Sequence, residues 1–267
     1  MDYLLYLCVG AIAGLLGGLL GIGGGLVIVP VLVYSFAAQG MDPAVLTQTA
    51  VGTSLATIIF TSFSSVKAHH ERGAVRWELV RNIAPGIVIG TLLGAQIAHL
   101  LPGRGLQALI GIFAVLMALQ MLANWRPGTR GNDTATLPGR PGLMLGGGLI
   151  GTTSALFGIG GGSLTVPWLS YHAVRMQEAV ATSSACGMAI ALAGTAGFVA
   201  TGWGRAALPD ASAGYVYLPA FVGISLSSLL FARVGVRLAH RMKADSLRKL
   251  FALLLMVVGI KMVTGAA

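Results

Sequence analysis

Charged side chains are scarce in this chain of 267 residues: Asp, Glu, Lys and Arg together make up 9% of it, against about 25% in a soluble domain. Mean hydropathy is +0.83, which excludes a soluble protein. The charge-free runs are residues 3–41, 43–66, 82–103, 105–125, 141–174, 179–204 and 211–232. A membrane helix needs roughly 20 apolar residues. The sequence therefore predicts an all-α protein that crosses the bilayer several times.

Cysteine is also rare. The two cysteines, Cys8 and Cys186, lie in apolar surroundings without metal-ligand spacing, which predicts no disulfide and no metal site. No basic segment precedes the first apolar run, so we expect that run to remain in the mature protein. The net charge of +9 falls in short connections, where it favours contact with lipid headgroups over nucleic acid. We expect no cofactor.

The chain contains a repeat. Residues 21–30 read GIGGGLVIVP and residues 158–167 read GIGGGSLTVP, while residues 44–52 match 179–187 in a second block. This predicts a first membrane repeat at 1–125, a polar and cytoplasmic linker at 126–140, and a second membrane repeat at 141–267. In each half we expect one helix interrupted by glycines, broken or re-entrant, and three further membrane helices.

The basic residues favour inverted repeats. If the interrupted run of each half enters and leaves on the same side, 14 of the 17 Lys and Arg residues share one side of the membrane, and only Arg104, Arg205 and Lys261 lie opposite. The parallel arrangement divides them nine to eight. Cytoplasmic loops carry an excess of Lys and Arg. We therefore expect inverted repeats, with both termini on the periplasmic or extracellular side.

The two glycine clusters are the first candidate substrate site. Irregular backbone is tolerated at membrane depth only where it lines a cavity or is buried by protein, and a helix start after it presents free N–H groups to an anion. Close helix packing is the alternative role for these glycines. A dinucleotide site is excluded, because Leu26 and Ser163 stand where the fingerprint requires glycine. The candidate residues are Gly23, Gly24, Gly25, Gly160, Gly161, Gly162 and Ser163.

Hydroxyl-rich helix starts are the second candidate element. Hydroxyl and amide groups can replace water around an anion without adding a charge, so binding stays reversible. Bonding to their own helix is the alternative. The residues are Gln48, Thr49, Thr53 and Ser54 in the first half, with Ser183 and Ser184 in the second.

Other chemistry has weaker support. No charged residue lies at the centre of an apolar run, so the sequence names no coupling ion, whether proton or sodium. An intramembrane enzyme using Ser54 or Ser163 as nucleophile would need a nearby base, yet all five histidines fall near the ends of apolar runs. His99 and His240 occupy corresponding positions in the two halves, and we expect both at helix ends. Proton sensing is the alternative role for them.

The paired GIGGG motifs, the stretch Ala44 to Ser54 and the Leu-rich last helix of each half resemble the sulfite exporter TauE/SafE family, also called the toluene sulfonate uptake permease family. The resemblance implies a permease of the bacterial inner membrane that moves sulfite, sulfonates, sulfoacetate or other organic anions. Its Thr-Ser element maps onto Thr53 and Ser54. The second copy departs there, with Met188 and Ala189.

The expected function is therefore a secondary transporter that binds a small anion between its two repeats. A passive anion channel would use the same site, and a membrane protein that transports nothing is a further alternative. The anion, the direction, the coupling ion and the oligomeric state do not follow from the sequence.

Overall fold

The computed structural model of the protein describes residues 2–20, 25–123, 137–239 and 244–265. These residues form ten helices and one short β-hairpin. The elements are α1 (Asp2–Leu20), α2 (Gly25–Ala38), α3 (Leu46–Glu71), α4 (Trp77–Leu100), α5 (Gly103–Leu122), α6 (Arg140–Phe157), α7 (Gly162–Tyr171), α8 (Met176–Gly202), β1 (Ser212–Ala213), β2 (Val216–Tyr217), α9 (Leu218–Ala239) and α10 (Ala244–Thr264). Gly21, Gly23, Gly24, His240 and most of the expected linker lie outside the described residues.

The helices differ in length in a way that matters for a bilayer. Four of them, α3, α4, α5 and α8, are long and apolar enough to cross a membrane. The 14 residues of α2 and the 10 of α7 span about 21 and 15 Å at 1.5 Å per residue. Both are shorter than the hydrocarbon core of about 30 Å. Each of these two short helices follows a glycine cluster.

Glycines set the packing of α4 against α6. Three of them remove the side chain at the contact, so that the two backbones approach closely. They lie in order along both helices: Gly86 against Met144, Gly90 against Gly148 and Gly94 against Thr152. Since both series rise together, α4 and α6 run parallel.

The pair α1 and α9 packs in the same manner. Gly10 lies against Ile224, and Gly14 lies against Ser228. Both residue numbers rise together here too, so α1 and α9 are parallel. Each of these two pairs joins one helix that precedes residue 124 to one that follows residue 136.

Two other pairs are antiparallel. Near the start of α3, Gly52 faces Phe198 close to the end of α8, while Ser65 near the end of α3 bonds Ser184 near the start of α8. In the same way Gly111 of α5 lies against Met262 of α10, and Val115 lies against Gly259. The centre of the bundle is the first half of α3, where every residue from 46 to 58 is buried.

The bundle has two chemically different ends. The basic end carries Arg76 and Arg175, which lie 3.8 and 3.9 Å from the Glu178 carboxylate, and α6 also begins there at Arg140. The opposite end carries Arg205, whose guanidinium is 3.3 Å from His99 Nε2. These two ends are called the basic end and the opposite end.

Candidate functional site

The connection between α6 and α7, residues 158–161, is the glycine segment around which the candidate site is built. Gly158 ends α6 with a left-handed backbone, φ +63°. Its N–H donates to the Ala155 carbonyl, and the Ile159 N–H donates to the Ser154 carbonyl at 3.0 Å. These two bonds form the motif that closes a helix at a left-handed glycine. The chain is thus turned sharply before α7 starts.

The glycine segment touches the start of α2. A Cβ added to Gly25 would lie 2.5 Å from the Gly158 carbonyl oxygen and 2.9 Å from the Ile159 Cα. A side chain at Gly25 is therefore excluded. Two residues of the separate glycine clusters, 133 positions apart in the printed sequence, are in contact.

Ser54 links the glycine segment to the central helix α3. Its hydroxyl donates to the Gly158 carbonyl at 2.8 Å. Next along the segment, Gly160 faces Ile58 of the same helix, and Gly161 faces the Gly187 N–H in α8. The segment is therefore held between α3 and α8.

The start of α7 carries donors without partners. Gly161 precedes the first turn, and no side chain caps it, so the first N–H groups of α7 have no acceptor within the helix. Thr165, one turn on, is fully buried, and its hydroxyl has no hydrogen-bond partner among the described residues. That hydroxyl lies 3.2 Å from a Cβ added to Gly161, so it faces the helix start.

Other buried hydroxyls share this state. The side-chain oxygens of Ser163 and Ser154 are buried without a partner in the described part of the chain, as is that of Thr91 on α4. Thr91 sits between α6 and α8, close to Gly151 and Gly194. Buried polar groups are normally paired. The free hydroxyls of Ser154, Ser163 and Thr165 belong to the last turn of α6 and the start of α7, beside the glycine segment, and are candidates for contact with a polar ligand.

The remaining predicted residues are occupied by other contacts. Gln48 donates to the carbonyls of Ala98 and Leu101, and Thr49 donates to Val45. Ser183 donates to the Val180 carbonyl of its own helix. The Gln48 amide oxygen is buried without a partner among the described residues, but it is an acceptor and offers an anion no hydrogen bond. The three side chains are therefore not part of the candidate site.

A β-hairpin covers the site from the opposite end. The Tyr217 N–H donates to Thr53 Oγ1 at 3.0 Å, one residue from Ser54, and Tyr217 stacks edge-to-face on Phe36. Tyr215 is buried, and its hydroxyl lies 3.1 Å from His99 Nδ1. Burial raises the pKa of the Tyr215 phenol, so this hydroxyl stays protonated at neutral pH.

Sequence reasoning missed Thr165, Ser154 and Thr91. The signal for Thr165 was present in the repeat itself, since Ser163 and Thr165 replace Leu26 and Ile28 of the first copy. The second glycine cluster is therefore the polar one. No such comparison marks Thr91, because only the packing of α4 on α6 and α8 buries it.

Four apolar helices long enough to cross a membrane, with the glycine segment packed among them, define a multi-pass helical membrane protein. The chain belongs to the sulfite exporter TauE/SafE family, whose model matches residues 6–262.

The curated relatives agree with this membership. A probable membrane transporter protein of Haemophilus influenzae is 37% identical over 97% of both chains. A second, from Methanocaldococcus jannaschii, is 27% identical over 97% of this chain and 94% of its own. The probable membrane transporter protein YunE of Bacillus subtilis is 33% identical over 62% of this chain and 67% of its own. No solved structure matches the chain significantly. The protein is therefore a multi-pass membrane protein of a transporter family.

Proposed function

We propose that this transporter carries a small sulfur-containing or organic anion, such as sulfite or a sulfonate, and binds it at the glycine segment between its two halves. The observation that carries the proposal is the set of unpartnered donors at the start of α7. The N–H groups of its first turn, with the hydroxyls of Ser163 and Thr165, leave an oxyanion-sized set of hydrogen bonds unmade.

The donors in this set are neutral. No charged residue occurs between Arg140 and Arg175, so the positive end of the α7 dipole and the hydroxyls supply the attraction. Hydrogen bonds to a charged group contribute about 1.5–3 kcal/mol each. A few of them hold an anion firmly enough for selection and loosely enough for release.

Inverted repeats are part of the proposal, and the helix directions support them. The third helices of the two halves, α3 and α8, run antiparallel, as do the fifth helices, α5 and α10. The first helix of each half packs parallel to the fourth helix of the other half. A two-fold axis in the membrane plane relates such pairs. In this arrangement α1 with α2, and α6 with α7, are re-entrant pairs.

The orientation follows from the positive-inside rule. We assign the basic end to the cytoplasm of a bacterial inner membrane and both termini to the periplasmic side. Access to the site then alternates by movement of one half against the other.

The test is anion binding by the purified protein, followed by flux in proteoliposomes. Sulfite, sulfate, thiosulfate, sulfoacetate, taurine and simple carboxylates are screened by thermal shift. T165V keeps the shape of the side chain and removes its hydroxyl. We expect the dissociation constant for the anion to rise 10- to 100-fold, the equivalent of about 1.4–2.7 kcal/mol of binding free energy. The matched control is T153V, because Thr153 is partly exposed and donates to the Leu149 carbonyl of its own helix.

The outcomes separate the alternatives. G161L places a side chain against Gly187 and Ile190 and should abolish flux while membrane insertion persists. Saturable flux with counterflow identifies a carrier, and flux without either identifies a passive channel. If no anion binds, or if T165V binds as tightly as T153V, the proposed site is wrong.

A further inference from the structure

The two short helices of the protein differ in burial. Helix α2 has ten buried residues, whereas α7 has only two, Thr165 and Leu169. Both follow a glycine cluster and both pack on a central helix, α2 on α3 and α7 on α8. Two related positions in the bundle therefore have different surroundings, one packed and one open.

The packed position lies toward the opposite end. There the hairpin fills the space beside α2: the Tyr217 ring contacts both Tyr6 and Phe36, and the first half of α3 is buried on every face. The connection that holds the hairpin, residues 203–217, has 15 residues. The related connection between α3 and α4, residues 72–76, has five, so this connection forms no such hairpin at the basic end.

The open position lies toward the basic end. None of the α3 residues from 59 to 71 is buried, although this is the second half of a central helix. Ser62 lies about 24 Å along α3 by helix rise, within the depth of the hydrocarbon. Its partly exposed hydroxyl makes no hydrogen bond to the described residues, and lipid tails offer none. Water entering from the basic end would supply the missing partner.

Ser62 also borders the glycine segment. A Cβ added to Gly187 would lie 3.5 Å from Ser62 Oγ and 3.2 Å from the Gly161 N–H nitrogen, so these two groups meet at one point on α8. One turn nearer the basic end, Ser65 and Ser184 bond each other at 3.0 Å, and both are partly exposed. The hydroxyls of Ser65, Ser184 and Ser62 thus lie in order between the basic end and Gly161.

We infer that Ser62, Ser65 and Ser184 line a water-filled passage from the basic end to the glycine segment, and that this structure is the state open at that end. What travels through the passage rests on the function proposed above. The passage itself does not depend on that function, because it follows from the exposure of these residues and from the unpaired hydroxyl of Ser62.

The experiment is thiol accessibility in sealed membranes. C8S/C186A removes both native cysteines, and S62C, S65C, T53C and L116C are made singly in that background. Thr53 is fully buried beneath the hairpin, and Leu116 is an exposed apolar residue of α5, so it serves as the lipid-facing control. A68C and R104C mark the two sides. The probe is a membrane-impermeant sulfonated maleimide, applied without substrate to inside-out and right-side-out vesicles.

We expect S62C and S65C to react at least 10-fold faster than L116C, and from the side that labels A68C. T53C should stay unlabelled from both sides. Labelling of every variant after SDS solubilisation confirms that the protein and its thiol are present. Rates equal to that of L116C would show a lipid-facing surface, and faster reaction from the R104C side would reverse the passage. Either result overturns the inference. Fast labelling in a protein that binds no anion would keep the passage and reject the proposed substrate.

Discussion

The geometry of the glycine segment depends on one residue, Gly158. Gly158 needs a left-handed backbone to close α6, and the same residue presents its carbonyl to Ser54. An alanine at such a backbone costs about 1–2 kcal/mol in an otherwise open site. At Gly158 the added Cβ would also lie 2.6 Å from Val29 Cγ2 and 3.2 Å from the Val51 Cα. Replacing Gly158 therefore lowers the free energy of unfolding in two ways, through backbone strain and through a steric clash.

We predict that G158A lowers the thermal midpoint of the detergent-solubilised protein more than G204A does. Gly204 is also left-handed, at φ +76°, but nothing lies within 4 Å of a Cβ added there. The control therefore carries the backbone penalty without the packing penalty. Equal shifts in the two variants would mean that the α2 and α3 neighbours yield to the new methyl group without cost.

At this scale the sequence marks some residues of the candidate site and not others. The glycines and Ser54 are recognisable because the motif repeats, and the structure brings Gly25, Ser54 and Gly160 together around Gly158. The hydroxyls of Ser154 and Thr91 carry no pattern of their own. Their lack of partners depends on which faces of α4, α6 and α8 meet, and only the packed bundle specifies this.

Helix pairs are held by glycine stripes. Along α4, the glycines at every fourth position form one face, and that face receives the backbone of α6. The hydroxyl of Thr152 adds a bond to the Gly90 carbonyl at 2.9 Å. Since lipid is as apolar as the helices, close packing and such bonds provide the association.

We predict that G90A destabilises the α4–α6 pair, whereas G148A does not. A Cβ on Gly90 would collide with the Gly148 carbonyl, but a Cβ on Gly148 meets only the Gly86 oxygen, at an ordinary 3.7 Å. Both changes add one methyl group to the same interface, so helix propensity and lipophilicity are matched. The readout is the thermal midpoint in detergent; a larger loss in G148A would contradict the packing order given for this pair.

The sequence predicts which segments form helices better than it predicts which helices pack together. The charge-free runs predicted three further helices after each glycine-interrupted run, and three follow the short helix in each part of the chain: α3, α4 and α5 after α2, then α8, α9 and α10 after α7. The hairpin at Ser212–Tyr217 was not anticipated. Its strands have two residues each, too few for an alternating pattern. Its position depends on the hydrogen bond from the Tyr217 N–H to Thr53 Oγ1.

For the whole molecule, the contact between α3 and α8 is where the two parts of the chain move if access alternates. At the basic end the closest hydroxyl contact between them is Ser65 with Ser184, 3.0 Å apart. Paired cysteines at that separation fall within reach of a disulfide.

We predict that S65C/S184C, in the C8S/C186A background, forms a disulfide on mild oxidation and loses transport, because the two parts are then joined at the end that must rearrange. Reduction should restore transport. Oxidised S65C alone is the control and should keep its activity. Full transport by the cross-linked protein would mean that α3 and α8 stay together at the basic end throughout the cycle.

The pairing of α1 with α9 and of α4 with α6 has a consequence for biogenesis. When residues 1–123 have left the ribosome, α1 and α4 both lack the neighbours against which their glycines pack, because α6 and α9 are not yet synthesised. The early helices therefore remain in the bilayer without these packing partners, accessible to membrane proteases, until translation is nearly complete. Truncated chains should therefore be degraded rather than accumulate as half-proteins, whereas two fragments split at the 124–136 connection and made in the same cell have the means to find each other.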